Sequence, residues 1–143
     1  MGKKNKFPVL EYFHHNEFDS PDIKNSGLLM DNDFVLLLNE ARKMANIPFI
    51  INSGYRSKHH NSLVGGKSDS SHLKGLAVDI KCTNSRDRYI ILHSLIYCGF
   101  HRIGINKSFI HVDMDERKII MLVGYISLIA IFVSQRNAGM QRL

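Results

Sequence analysis

The stretch SSHLKGLAVDI, Ser70–Ile80, decides how this chain is read. Its second half, continued to Cys82, has the β-branched, apolar character of a buried strand. Asp79 interrupts it, and a carboxylate inside such a run is costly to bury unless it is paired or bound to a metal. Its first half closes a polar loop, Lys67 to Ser71, on His72. Further along, FIHVDMD at 109–115 is a second strand candidate, on which His111 and Asp113 are two apart and point to the same face. Two imidazoles and one carboxylate suit Zn²⁺ with a fourth position left to water, the pattern of catalytic rather than structural zinc. Zinc held in this way lowers the pKa of its water to about 7. Spacing alone leaves another reading open, in which His72 caps a turn, Asp79 pairs with a Lys or Arg, and His111 is half-exposed.

The elements around these strands define the fold class. Asp31 is placed to cap a helix running to Ala45 and ended by Pro48, with Phe34, Leu37, Leu38, Ala41 and Ala45 as its inward stripe. Residues 49–51 are a short β-rich run, SGYRS at 53–57 a turn, and residues 58–64 a helical turn stopped at Gly65-Gly66. Ser85 is the expected cap of a second helix over 86–98, with Ile91, Leu92, Leu95 and Ile96 inward and Gly99 as its stop. Strands at 102–105 and 109–114 follow, separated by a turn at Asn106 and Lys107. This order predicts an α+β domain, a small antiparallel sheet with helices packed to one side and the metal site on the sheet.

At 143 residues, 44% hydrophobic and 22% charged, the chain has room for one domain with a real core, which excludes disordered and disulfide-scaffold classes. Cys82 and Cys98 form no CxxC pair and read as free thiols. The net charge of +6 invites a nucleic-acid reading, but no acidic residue follows Glu116, and Arg117, Lys118, Arg136 and Arg142 lie beyond it. The first 116 residues, with 15 basic against 13 acidic groups, carry only about +2, poor support for a phosphate-binding face.

The motifs SGYRS (53–57), HN (60–61), VGG (64–66), SSHLKGLAVDI (70–80), GFHRIGI (99–105) and FIHVDMD (109–115) occur in this order. Together they resemble the zinc D-Ala-D-Ala carboxypeptidase family of peptidoglycan metallopeptidases, in particular its small single-domain, phage-endolysin-like branch, over about residues 8–115. The resemblance implies a hedgehog/D-Ala-D-Ala-peptidase-like fold and hydrolysis of peptide bonds in peptidoglycan stem peptides. Its SxHxxGxAxD element makes His72 and Asp79 zinc ligands, and FIHVD makes His111 the third. Arg56 corresponds to an arginine facing the substrate, where a guanidinium holds a carboxylate or stabilises an oxyanion. Ser70 and Ser71 shape the loop presenting His72, and Ser71 and His60 are expected to contact substrate.

Several members of that family carry an acid three residues before the last histidine ligand, as general base. Here the position is Ser108, so Asp113 is the expected catalytic replacement, either taking a proton from the activated water or orienting His111. A zinc-containing module that binds peptidoglycan without cleaving it is the alternative, and a membrane-associated interaction protein a third reading.

The third reading comes from residues 117–143, a tail separate from the domain at 1–116. Its run IIMLVGYISLIAIFV at 119–133 holds no charge. Fifteen helical residues reach about 22 Å, short of the roughly 30 Å hydrocarbon core unless flanking Lys118 and Arg136 snorkel. Membrane segment and soluble packing therefore both stand. The N-terminus MGKKNKFPVLEYF shows no apolar signal-peptide region. Cytoplasmic synthesis is then expected, with holin-dependent release or C-terminal membrane association.

Overall fold

The computed structural model describes residues 6–118; the apolar run at 119–133 lies outside them. Helix α1 (Asn32–Ala45) starts where Asp31 accepts a hydrogen bond from the Phe34 amide at 2.9 Å, and stops at Asn46 in the left-handed conformation, φ 52°. Pro48 therefore follows the stop rather than making it. Strand β1 (Ile51–Ser53) leads through SGYRS into the short helix α2 (Lys58–Leu63), capped by Ser57. A 3-10 turn at Ser71–Lys74 precedes β2 (Ala77–Lys81). Helix α3 (Ser85–Tyr97) is capped by Asn84, whose side chain accepts from the Asp87 amide, and not by Ser85. Asparagine is as good an N-cap as serine and lies one residue earlier. Strands β3 (Arg102–Ile105) and β4 (Phe109–Asp113) complete the sheet.

The four strands are antiparallel in the order β1-β2-β4-β3. Alternation divides the sheet into two faces. Val78 and Ile80 of β2, Ile110 and Val112 of β4, and Ile103 of β3 join the core with Phe34, Val35, Leu38 and Ala41 of α1 and Ile91 and Leu95 of α3. Both long helices thus cover one face, which is the predicted α+β arrangement. Val35, which the inward stripe omitted, is fully buried, whereas Leu37 is only partly so.

The other face carries the polar row. Ser53 pairs with Asp79, Asp79 with His111, and His111 with Gly104, one residue from each strand. The strand register alone therefore sets Asp79 beside His111. Two 3-10 turns that the sequence did not reveal, His15–Phe18 and Ser26–Leu29, adjoin the loops of the site: the Tyr55 amide donates to Phe18 O and the Asp31 amide to Gly75 O, each at 2.9 Å. A Cβ at Gly54 would lie 2.7 Å from the Phe18 backbone, so only glycine lets the SGYRS turn pass there. Among the described residues no helix is long and apolar enough to cross a membrane.

Candidate metal centre

His72 enters from the 3-10 turn Ser71–Lys74, which Ser70 caps and Gly75 ends at φ 67°. Its Nδ1–H donates to the Gly54 carbonyl at 2.8 Å, a bond that fixes the tautomer and leaves the Nε2 lone pair outward. That Nε2 lies 3.4 Å from Asp79 Oδ1. On the other side of the same oxygen, His111 Nδ1 is 2.8 Å away. Asp79 Oδ2 is held by Arg56 Nη2 at 3.0 Å, while Arg56 Nε donates to Ser53 Oγ at 2.9 Å. The Arg56 fork therefore fixes the rotation of the carboxylate and offers Oδ1 to the two imidazoles.

Behind His111, its Nε2 donates to Asp113 Oδ2 at 2.9 Å. Asp113 Oδ1 accepts from Arg102 Nε at 2.6 Å and from the Asp115 amide at 3.1 Å. Both Asp113 oxygens are thus engaged, and the carboxylate sits on the side of the imidazole away from Asp79. It is 4% exposed. Ser108 is exposed in the β3–β4 connection.

Electrostatics follow from this stacking of charges. Burial alone would raise the carboxyl of Asp79, but hydrogen bonds from His111 and His72 outweigh it and hold it far below the usual range. Burial likewise raises Asp113, and the bonds from His111 and Arg102 overcome it, bringing it down to about 2. Burial lowers His111, yet hydrogen bonds to Asp113 and Asp79 push it up to about 9. An imidazole with a carboxylate at each nitrogen demands positive charge between them. In the metal-free protein that charge is the proton on Nδ1; a cation bound to Nδ1, His72 Nε2 and Asp79 Oδ1 would replace it.

His72, Asp79 and His111 can each offer one ligand atom within 4.8 Å of the others, and they are the one such group found among the described residues. Tetrahedral zinc with bonds of about 2.0–2.2 Å places its ligand atoms about 3.4 Å apart, which is the His72–Asp79 spacing here, while the 2.8 Å His111–Asp79 contact would have to open by about 0.6 Å. The donor set fits a zinc ion.

His60 is half-buried on α2, and Ser71 is buried with its hydroxyl donating to Asp115 Oδ2 at 2.9 Å; neither hydrogen-bonds to the three ligand atoms. Sequence reading missed Ser53, the Gly54 carbonyl, Arg102 and Asp115. Arg102 had a usable signal, since on paired strands it faces Asp113 two residues from His111. The Gly54 carbonyl had none, because backbone acceptors carry no residue signature.

The sheet and the 3-10 turn beside it thus bring two histidines and an aspartate into a group that could hold a metal ion. A model of the peptidase M15 family, the D-Ala-D-Ala carboxypeptidase family, matches residues 11–113, which take in His72, Asp79 and His111. The chain belongs to the peptidase M15 family and is a metallopeptidase of that family. No curated protein sequence matches it significantly.

Proposed function

We propose that this chain is a zinc-dependent peptidase that hydrolyses peptide bonds in peptidoglycan stem peptides. The observation that carries the proposal is the agreement of tautomers. The Gly54 carbonyl at His72 Nδ1 and Asp113 at His111 Nε2 each leave the opposite nitrogen directed at Asp79 Oδ1. Zinc held by His72, Asp79 and His111 supplies Lewis acidity toward a scissile carbonyl and acidifies water.

The chain's own groups do the positioning. Arg56 holds Asp79 with Nη2, and Nη1 is the guanidinium nitrogen without a hydrogen-bond partner among the described residues. It is the group we assign to a substrate carboxylate or a developing oxyanion, as a single donor rather than a fork. Asp113 keeps the proton on His111 Nε2 and so orients the imidazole. This favours the orienting role over direct proton transfer, because both its oxygens already accept hydrogen bonds behind the ring. We place the peptidase domain at residues 1–116, supported by the family match ending at residue 113.

One observation supports a second reading, a zinc-containing peptidoglycan-binding module. Among the described residues, no carboxylate other than Asp79 and Asp113 hydrogen-bonds to the centre. Mass spectrometry of muropeptides incubated with zinc-loaded protein, beside a chelated control, separates the two. Loss of one terminal alanine establishes a D-Ala-D-Ala carboxypeptidase, and a split between L-Ala and D-Glu an endopeptidase of the endolysin type. Muropeptides bound but intact favour the module. Removing the chain after Lys118 leaves cleavage unchanged if the tail's role is separate, whether membrane attachment or packing.

A further inference from the structure

Asp115 has no part in the chemistry above, yet it is the most deeply buried acid near the centre, with no exposed surface. Its Oδ2 accepts from Ser71 Oγ at 2.9 Å and from Lys74 Nζ at 3.0 Å. Those two residues flank His72, one immediately before it and the other two after. On the same residue, the Asp115 amide donates to Asp113 Oδ1, the carboxylate that holds His111. The Met114 amide beside it donates to Leu76 O, prolonging the β2–β4 ladder by one rung. The His72 turn is thus tied to the end of β4 through one carboxylate oxygen, and the support of His111 through the same residue's amide.

Burying a carboxylate is expensive, and isolated core stability would be served as well by an apolar residue. The return here is geometric. His72 lies on a four-residue 3-10 turn that leaves its backbone little intrinsic rigidity, whereas β4 is paired on both sides. We infer that Asp115 is a positioning residue of the metal centre: it clamps the His72 turn to the strand that carries His111 and thereby sets the separation of the two imidazoles. The inference rests on the reading of His72, Asp79 and His111 as metal ligands.

The test is zinc affinity by chelator competition, with the visible spectrum of the Co²⁺-substituted protein, for wild type, Asp115→Asn, Lys74→Met and His111→Ala. Wild type binding one equivalent that His111→Ala loses establishes the centre independently of Asp115. The clamp then predicts a zinc affinity about tenfold or more weaker in Asp115→Asn, the range seen when outer partners of metal ligands are removed. It predicts a smaller loss in the same direction for Lys74→Met, and shifted Co²⁺ bands in both. Lys74 is partly exposed, so its variant decides the matter even if Asp115→Asn does not fold. Wild-type affinity and an unchanged Co²⁺ spectrum in Lys74→Met, and in Asp115→Asn where it folds, would overturn the inference, even with a lowered melting temperature. Wild type that binds no metal removes the centre itself and the inference with it.

Discussion

Replacing Asp113 by Asn separates orientation of His111 from proton transfer. The side chain keeps its shape but can accept through only one atom. In wild type, Oδ2 faces His111 Nε2–H while Oδ1 faces Arg102 Nε–H and the Asp115 amide. If the Asn oxygen stays toward His111, its NH₂ meets the two donors of Arg102 and Asp115. If it turns, its NH₂ faces Nε2 and favours the tautomer with hydrogen on Nδ1, the nitrogen the metal needs. Either way a buried polar contact is left unsatisfied, which costs about 1–3 kcal/mol. Taken as lost ligand orientation, this corresponds to about 10–100-fold in zinc affinity. Chelator competition measures it, and turnover on muropeptides is then followed as zinc is raised. The orienting role predicts weakened affinity, with much of the turnover recovered at saturating zinc. Unchanged affinity with turnover abolished at every zinc concentration would refute it and make Asp113 the proton acceptor.

Arg56→Lys removes the fork that fixes Asp79, so zinc affinity is expected to fall several-fold, and turnover at saturating zinc to fall further because Nη1 is gone; equal loss in both would contradict the second role. Gly75→Ala forces a left-handed φ of 67° on a residue whose Cβ would lie 2.4 Å from Leu29 O. Urea unfolding should show a loss of about 2 kcal/mol or more, and a neutral result would mean the Ser71–Lys74 turn relaxes freely. Metal-free protein should have a stability plateau between about pH 4 and 6.5. His111, raised to about 9, contributes stability that is complete below its unfolded pKa and lost as pH climbs through 9. Asp113, lowered to about 2, contributes stability present above its unfolded pKa and lost as pH falls through 2. Melting temperatures across pH 2–10 check both limbs. Zinc uptake must displace the His111 proton, so affinity should rise with pH by up to about tenfold per unit below pH 9, and a flat profile would exclude His111 as a ligand.

The fold was readable because its signals are local. The Asp31 cap, the α1 stripe, the strand character around Asp79 and the two-residue spacing of His111 and Asp113 all act over a few residues. What escaped depends on pairing between distant segments. The sequence left Asp79 a Lys or Arg partner but did not say that it would be Arg56, 23 residues away, or that Ser71 would face Asp115, 44 residues on. Asp113 shows the same limit more finely. Strand alternation puts it on the face of His111, but only the imidazole's rotation decides that it stands behind the ring. The 3-10 turns between residues 15 and 29 carry too few residues for a periodic pattern.

The most direct test of the account is anomalous diffraction at the zinc edge from crystals grown with the metal. It predicts one peak at bonding distance, about 2.0–2.2 Å, from His72 Nε2, Asp79 Oδ1 and His111 Nδ1, with Asp113 still on His111 Nε2. No peak at these residues, or a peak bonded to His111 through Nε2 in place of Asp113, would contradict it.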